Sequence, residues 1–311
     1  PETLRPLHAL RRELADAGYQ ELVNFSFVDA AWEQDFAGNA EPIRVLNPIA
    51  SQFAVMRTTL IGGLVAVLKY NLNRKASRVR VFELGRVYAK DPAAGDGPLA
   101  YGLAWDEQWG VTRREVDYFD VKGDVERLIR RGDKRFVAAE HPALHPGRAA
   151  RIELDGRSIG WIGELHPRWQ QKYELPKAPV VFELDVDPLL PVPLPRFEEV
   201  PRFPPVLRDV AMWVDGAVTL QRVYDVIANI ARTDERLRVL RDFRLFDVYR
   251  AGGDDSSKFA GASANALLNK EKSLAFRIVL QDTDRTLADA DADAAVAAIV
   301  EGLGVHIGAR L

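Results

Sequence analysis

The chain contains no cysteine, which excludes disulfides, thiolate-held zinc and a cysteine nucleophile and fits a reducing compartment. It has no basic excess: the formal net charge is −3 and the pI about 6.1. Affinity that rests on coating a phosphate backbone with Lys and Arg is thereby excluded. From Arg202 onward the balance is just as even, so any RNA contact there is expected to be local and geometric, and DNA is not an expected partner. No apolar run approaches the ~20 residues of a membrane span, and no signal sequence is recognisable before Pro1. These features predict a soluble, cytoplasmic chain without a membrane partner. The start at Pro1, without methionine, suggests a piece of a longer polypeptide.

What the chain does have is length for two cores, 311 residues, divided by a stretch where proline recurs at 188, 191, 193, 195, 201, 204 and 205. Such a stretch reads as a stiff connector. The expected division is a first domain over 1–190, a linker over 191–205 and a second domain over 206–311. In the first, Leu4, Leu7, Leu10, Leu14 and Ala17 recur at helical steps over residues 2 to 17, ended by Gly18. Glu21 to Val28 alternates as a strand, Ile43 to Leu46 reads as a second, and Leu60 to Leu72 as a helix. Val79 to Tyr88 and Leu99 to Trp105 predict an antiparallel pair, and Asp120 to Arg130 a helix. Arg151 to Leu154 and Ser158 to Leu165 predict a hairpin across Asp155-Gly156, and Val180 to Val186 closes the sheet. Hairpins with helices set apart indicate an α+β domain built on an antiparallel sheet.

The second domain reads as a βαββαβ unit. Val210, Met212 and Val214 form one apolar stripe, Phe246 and Val248 a second, and Leu274, Phe276, Ile278 and Leu280 a third. Helices over Thr219 to Ile230 and Ala288 to Gly302 are expected to cover that side. The opposite face then carries Asp209, Ala211, Trp213, Asp247, Tyr249, Ser273 and Arg277, a set suited to receiving an unpaired base. Residues 251 to 272 read as a long, mobile loop with Lys270 and Lys272 at its exit.

Other chemistry finds little support. His141, His145 and His166 each precede proline, which restricts the backbone, and no nearby carboxylate completes a ligand spacing, so no metal site is expected. Ser158, Ser263 and Ser273 lack a nucleophile elbow. Gly252-Gly253 has neither the lysine nor the helix start of a phosphate cradle. Asp289, Asp291 and Asp293 lack the glycine and terminal glutamate of a calcium loop and suit a helix amino terminus instead.

Arg202-Phe203-Pro204, Arg208-Asp209, Phe246-Asp247-Val248-Tyr249-Arg250, Lys272-Ser273-Leu274-Ala275-Phe276 and Gln281-Asp282-x-x-Arg285-Thr286-Leu287 together resemble the ferredoxin-fold anticodon-binding domain that ends the bacterial phenylalanyl-tRNA synthetase β subunit. Gly18-Tyr19-x-Glu21, Asn47-Pro48-Ile49, Met56-Arg57-x-Thr59-Leu60, Phe82-Glu83-x-Gly85 and His145-Pro146-Gly147-Arg148 resemble the same subunit's catalytic-like module, which is related to class II synthetase catalytic domains. The resemblance covers essentially the whole chain. It implies a non-catalytic portion of a phenylalanine-tRNA ligase with no catalytic residue of its own, assembled as two α and two β chains. ATP and magnesium are then used by the α subunit and none is bound here. The arginines that hold ATP phosphates in class II enzymes have no counterpart in Val81-Phe82-Glu83-Leu84-Gly85 or after Gly160 to His166, which leaves Arg57, Glu83 and Arg148 to salt bridges or interfaces.

By the same resemblance Asp247 reads guanine, the first anticodon base of tRNA(Phe), and Tyr249 stacks on it. Ala211 and Ser273 make room, and Trp213 and Arg277 are lesser contacts. Leu4, Leu7 and Leu14 are candidates for contact with the α subunit. Two rival readings are an amino-acid-sensing regulatory module, which shares the βαββαβ topology, and a self-sufficient class II synthetase.

Overall fold

The computed structural model describes residues 4–88, 98–102, 114–192, 194, 201–250 and 271–311. The chain forms two compact units, Pro1–Pro195 and Arg196–Leu311.

In the first unit, elements run in the order α1 (Leu7–Asp16), β1 (Gln20–Glu21), β2 (Phe27–Val28), α2 (Ala30–Trp32), β3 (Val55–Met56), α3 (Ile61–Leu72), β4 (Arg78–Phe82), β5 (Pro98–Gly102), α4 (Tyr118–Leu128), β6 (Lys134–Ala138), β7 (Leu144–Leu154), β8 (Arg157–Leu165), α5 (Pro167–Lys172) and β9 (Val180–Leu184). Seven strands form one sheet in the order β1-β4-β5-β9-β8-β7-β6, in which only β1 and β4 are parallel. Alternation sends Val79, Val81 and Val181 into a layer with Leu64 and Leu68 of α3. Phe82, Val180, Phe182 and Leu184 face the other way, against Leu10 and Leu14 of α1 and Val121 and Val125 of α4. Because both faces are covered, β9 reads as a nearly continuous apolar run. Asp155 and Gly156 carry φ of 52° and 78° between β7 and β8, the paired positive φ that a two-residue hairpin requires, so the expected hairpin forms.

Several expectations need correction. Glu21 to Val28 is two short strands with irregular chain between them. Asn24 donates its backbone N–H and its side-chain Nδ2 to Glu83, at 3.3 and 2.7 Å, so that backbone donor goes to a carboxylate and not to a strand. Ile43 to Leu46 supplies only one bridge pair, Arg44 with Val55. Val180 to Leu184 lies inside the sheet, between β5 and β8, and the edge beyond β7 is β6. That edge begins Lys134-Arg135, charges that blunt an exposed strand and mask its pattern in the sequence. The tail of the expected second strand, 103–105, and the loop 91–97 lie outside the described residues.

The second unit runs β10 (Val206–Asp215), α6 (Leu220–Thr233), β11 (Leu240–Arg250), β12 (Glu271–Leu280) and α7 (Asp289–Ile307). Its sheet has the order β10-β12-β11, antiparallel throughout. A fourth strand is reduced to one bridge pair, Arg310 against Trp213 on the free side of β10. This completes the βαββαβ order. Thr219 Oγ1 accepts from Arg222 N–H at 3.2 Å and starts α6. Arg208 pairs with Asp289 at 2.8 Å and with Asp293 at 3.6 Å at the start of α7, the place expected for that acidic run. Residues 251–270 lie outside the described residues, and Lys272 sits within β12 with Nζ donating to Gly216 O at 3.1 Å, not at a loop exit. Among the described residues no helix is long and apolar enough to cross a membrane.

Candidate nucleic-acid interface

Both helices of the second unit pack on one side of its sheet, over Val210, Met212, Val214, Leu274, Phe276, Ile278 and Leu280. Strand register sets what faces away from them, in rows across β10, β12 and β11. Asp209, Arg277 and Arg244 share one row; Ala211, Ala275 and Asp247 the next; and Trp213, Ser273 and Tyr249 a third. All seven residues expected on the face are therefore there, and the register adds Arg244 and Ala275. Small side chains fill the central strand at Ala275 and Ser273, so the face is a shallow trough between aromatic and charged flanks.

Straight alternation fails in β11. The register slips between Leu245 and Asp247, where two residues of β11 oppose one of β12, as in a β-bulge. Phe243 and Leu245, not Phe246, turn toward the helices and pack on that core. Phe246 is 53% exposed, and the Arg277 guanidinium lies 5.4 Å from its ring centroid, which puts it on the open face beside Asp247. The expected stripe of Phe246 and Val248 is thus wrong at Phe246. Val248, opposite Leu274, keeps the helix side.

Trp213 and Tyr249 meet across Ser273, with ring centroids 6.0 Å apart and planes at 87°, a favourable edge-to-face geometry. Trp213 is held by the bridge to Arg310, its N–H donating to Arg310 O at 2.7 Å. Asp247 Oδ1 accepts from Val248 N–H at 2.8 Å, leaving the second oxygen to face outward. Arg277 donates Nε and Nη2 to the two oxygens of Asp209 at 2.9 and 2.7 Å. Those hydrogen bonds hold the Asp209 carboxyl below the usual carboxylate range.

Among the proposed subunit contacts in the first unit, Leu14 is 4% exposed and lies in the core with Leu10. It is a core residue, contrary to expectation. Leu7 is exposed on α1, and Leu4, also exposed, precedes the helix and bridges to Pro191. Other exposed apolar side chains were missed: Val23, Phe25, Leu46 and Ile49 are 94%, 65%, 97% and 86% exposed, with Phe25 against Phe53 at 5.2 Å between ring centroids. Arg57 and Glu83 form a buried ion pair at 2.8 Å, whereas Arg148 pairs with Glu164 at the surface at 2.7 Å.

The three histidines do not converge on a metal. Each Nδ1 accepts a backbone N–H two residues on, from Ala143, Gly147 and Arg168. Among the described residues no group of three or more His, Asp and Glu side chains is placed to hold one.

The family model described as the phenylalanyl tRNA synthetase beta chain CLM domain matches residues 2–186, and that described as the ferredoxin-fold anticodon binding domain matches residues 201–311. The phenylalanine–tRNA ligase beta subunit of Burkholderia pseudomallei (strain 1710b) is 53% identical over 324 residues, covering 100% of this chain. Those of Ralstonia nicotianae and Bordetella bronchiseptica (strain RB50) are 52% and 49% identical, again over 100% of this chain. The chain spans 39% of the length of each of these relatives.

Proposed function

Because the chain belongs to the phenylalanyl-tRNA synthetase β-chain family, we propose that it is the non-catalytic part of a phenylalanine-tRNA ligase that binds the tRNA(Phe) anticodon and supports the α subunit. The observation that carries this reading is the row Trp213, Ser273 and Tyr249, an aromatic pair flanking a small residue on a sheet face left open by both helices. A base laid on this row meets the joined Trp213–Tyr249 surface, and stacking of this kind contributes ~1–3 kcal/mol. The outward oxygen of Asp247, one row away, accepts from the N1–H and N2–H edge that distinguishes guanine. Ala211 and Ala275 leave the approach clear, and Arg277 supplies charge at the far end.

The first unit is read as a class II synthetase-like module without its chemistry. Glu83, which follows β4 where a phosphate-holding arginine belongs, is consumed by the buried pair with Arg57. ATP and magnesium then bind to the α subunit of an α2β2 assembly in the cytoplasm, and this chain holds neither. Its contacts with the α subunit are assigned to Leu4, Leu7 and the exposed side chains of Val23, Phe25, Leu46 and Ile49, since large apolar side chains left in water suit a subunit contact. An amino-acid sensor is disfavoured because the distinctive residues lie on the open sheet face and not at loop edges.

The test uses the complete two-subunit ligase. Ser273→Tyr, which fills the trough, should lower tRNA aminoacylation while leaving phenylalanine-dependent pyrophosphate exchange unchanged. Charging at the wild-type rate with the trough filled would sink the reading.

A further inference from the structure

Phe246 has no role in the core that the rest of its strand builds. Phe243, Leu245, Phe276 and Ile278 fill the helix side, and the bulge at Leu245/Asp247 gives up ladder register to turn Phe246 the other way. Bulges re-aim side chains in this manner, and an aromatic ring more than half exposed on a sheet face is costly unless something covers it.

The surroundings indicate what that is. Arg277 lies against the ring at 5.4 Å, within cation–π range, and uses two of its five N–H donors on Asp209. Arg244 stands directly opposite Arg277 in the ladder, an arrangement that like charges disfavour. It spends one donor on Asp242 at 3.1 Å and is 69% exposed. Two guanidinium groups with donors to spare thus border an exposed aromatic ring. That combination complements a nucleotide, with a π-face for the ring and a phosphate for the arginines.

Building on the anticodon reading of this face, we propose that Phe246 with Arg277 is a second nucleobase platform, taking the nucleotide adjacent to the one at Tyr249, with Arg244 reaching its phosphate. Phe246 lies three residues along β11 from Tyr249, about 10 Å at strand rise, a separation that neighbouring nucleotides of a splayed single strand can span. The two platforms differ in chemistry. The Tyr249 site has a carboxylate at hand and discriminates between bases, whereas the Phe246 site offers a ring and cations and accepts any base.

The experiment measures binding of the complete two-subunit ligase to tRNA(Phe) transcripts carrying a single abasic nucleotide at each anticodon-loop position in turn. Phe246→Ala should weaken binding of intact tRNA by about 5- to 100-fold, and Phe246→Tyr should restore it. At one abasic position the Phe246→Ala loss should vanish, and that position should neighbour the one where the Tyr249→Ala loss vanishes. The proposal is overturned if Phe246→Ala binds intact tRNA like wild type while Tyr249→Ala does not, a result that leaves the anticodon reading standing. It is also overturned if Phe246→Ala weakens every transcript equally, which marks a structural role, or if it impairs subunit association alone, which marks a protein contact. If neither Phe246→Ala nor Tyr249→Ala affects binding, the anticodon reading fails with it.

Discussion

Trp213 and Tyr249 stand on the two outer strands of a three-stranded sheet and touch edge to face over the intervening Ser273, 6.0 Å between ring centroids. Neither ring is an independent platform. Removing one frees the other to rotate, so the two substitutions should not add. Trp213→Ala and Tyr249→Ala should each weaken tRNA binding by ~1–3 kcal/mol, and the double variant by clearly less than their sum. A double-mutant cycle on tRNA affinity checks this, and strict additivity would show that the contact has no part in binding.

Asp247 tests base reading separately from stacking. In Asp247→Asn the amide oxygen can keep the bond from Val248 N–H, so the bulge is retained. The outward oxygen becomes an NH2 group facing the donors of guanine, a mismatch costing ~1–3 kcal/mol. Discrimination between tRNA with guanine and tRNA with adenine at the first anticodon position should therefore shrink. Affinity for the adenine transcript should be nearly unchanged. Full discrimination retained in Asp247→Asn would make Asp247 a part of the bulge and nothing more.

The open face was legible because a strand's period of two needs only the apolar stripes to be recognised. Val210-Met212-Val214 and Leu274-Phe276-Ile278 place Ala211, Trp213 and Ser273 without ambiguity. The same rule misplaced Phe246, since a bulge inserts a residue without any mark in the apolar pattern, and no Gly or Pro announces this one. Arg244 was hidden for the same reason: its face follows from Phe243 and Leu245, which stripe correctly only on the near side of the bulge. On α1 the Leu stripe was read correctly as amphipathic. Helical spacing cannot tell which leucines meet the chain's own sheet, and here Leu10 and Leu14 do while Leu7 does not.

The Arg57–Glu83 pair should be worth little as a pair and much to whoever breaks it. Both side chains are almost wholly buried, 4% and 3% exposed. Glu83 also accepts from Asn24, and Arg57 Nε donates to Arg86 O at 3.1 Å. Glu83→Ala leaves an uncompensated guanidinium in the core and should destabilise the first unit by ~3–5 kcal/mol. Arg57→Met with Glu83→Leu should recover much of that loss. Thermal unfolding of wild type and the two variants checks the order, and equal stability of Glu83→Ala and wild type would contradict the burial.

Leu7 and Leu14 should part company on substitution. Leu7→Glu on the exposed face of α1, and Leu46→Glu at an almost fully exposed position, should leave a folded chain that associates more weakly with the α subunit. Leu14→Ala should instead cost ~2–5 kcal/mol of stability. Sizing of the co-expressed subunits together with circular dichroism separates these outcomes. Normal assembly of both Leu7→Glu and Leu46→Glu would remove these surfaces from the interface.

His141 should give the first unit an acid-sensitive stability. Burial holds its pKa down to about 4, against ~6.5 in an unfolded chain. Its ring lies 5.0 Å from that of Trp161, and Nδ1 accepts from Ala143 N–H at 3.2 Å, a bond that a protonated Nδ1 cannot accept. The sign follows from proton counts. Above ~6.5 neither state is protonated and the neutral ring contributes fully. Between ~6.5 and ~4 the unfolded chain takes up the proton first, so stability falls with pH at up to ~1.4 kcal/mol per unit. Below ~4 both states carry the proton and this slope ends. His141→Asn retains an acceptor for Ala143 and cannot titrate, so its unfolding free energy should lose this slope while carboxylate contributions remain. Unfolding measured from pH 7.5 to pH 4 in both proteins decides the matter, and parallel profiles would mean that His141 takes up its proton without hindrance in the folded chain.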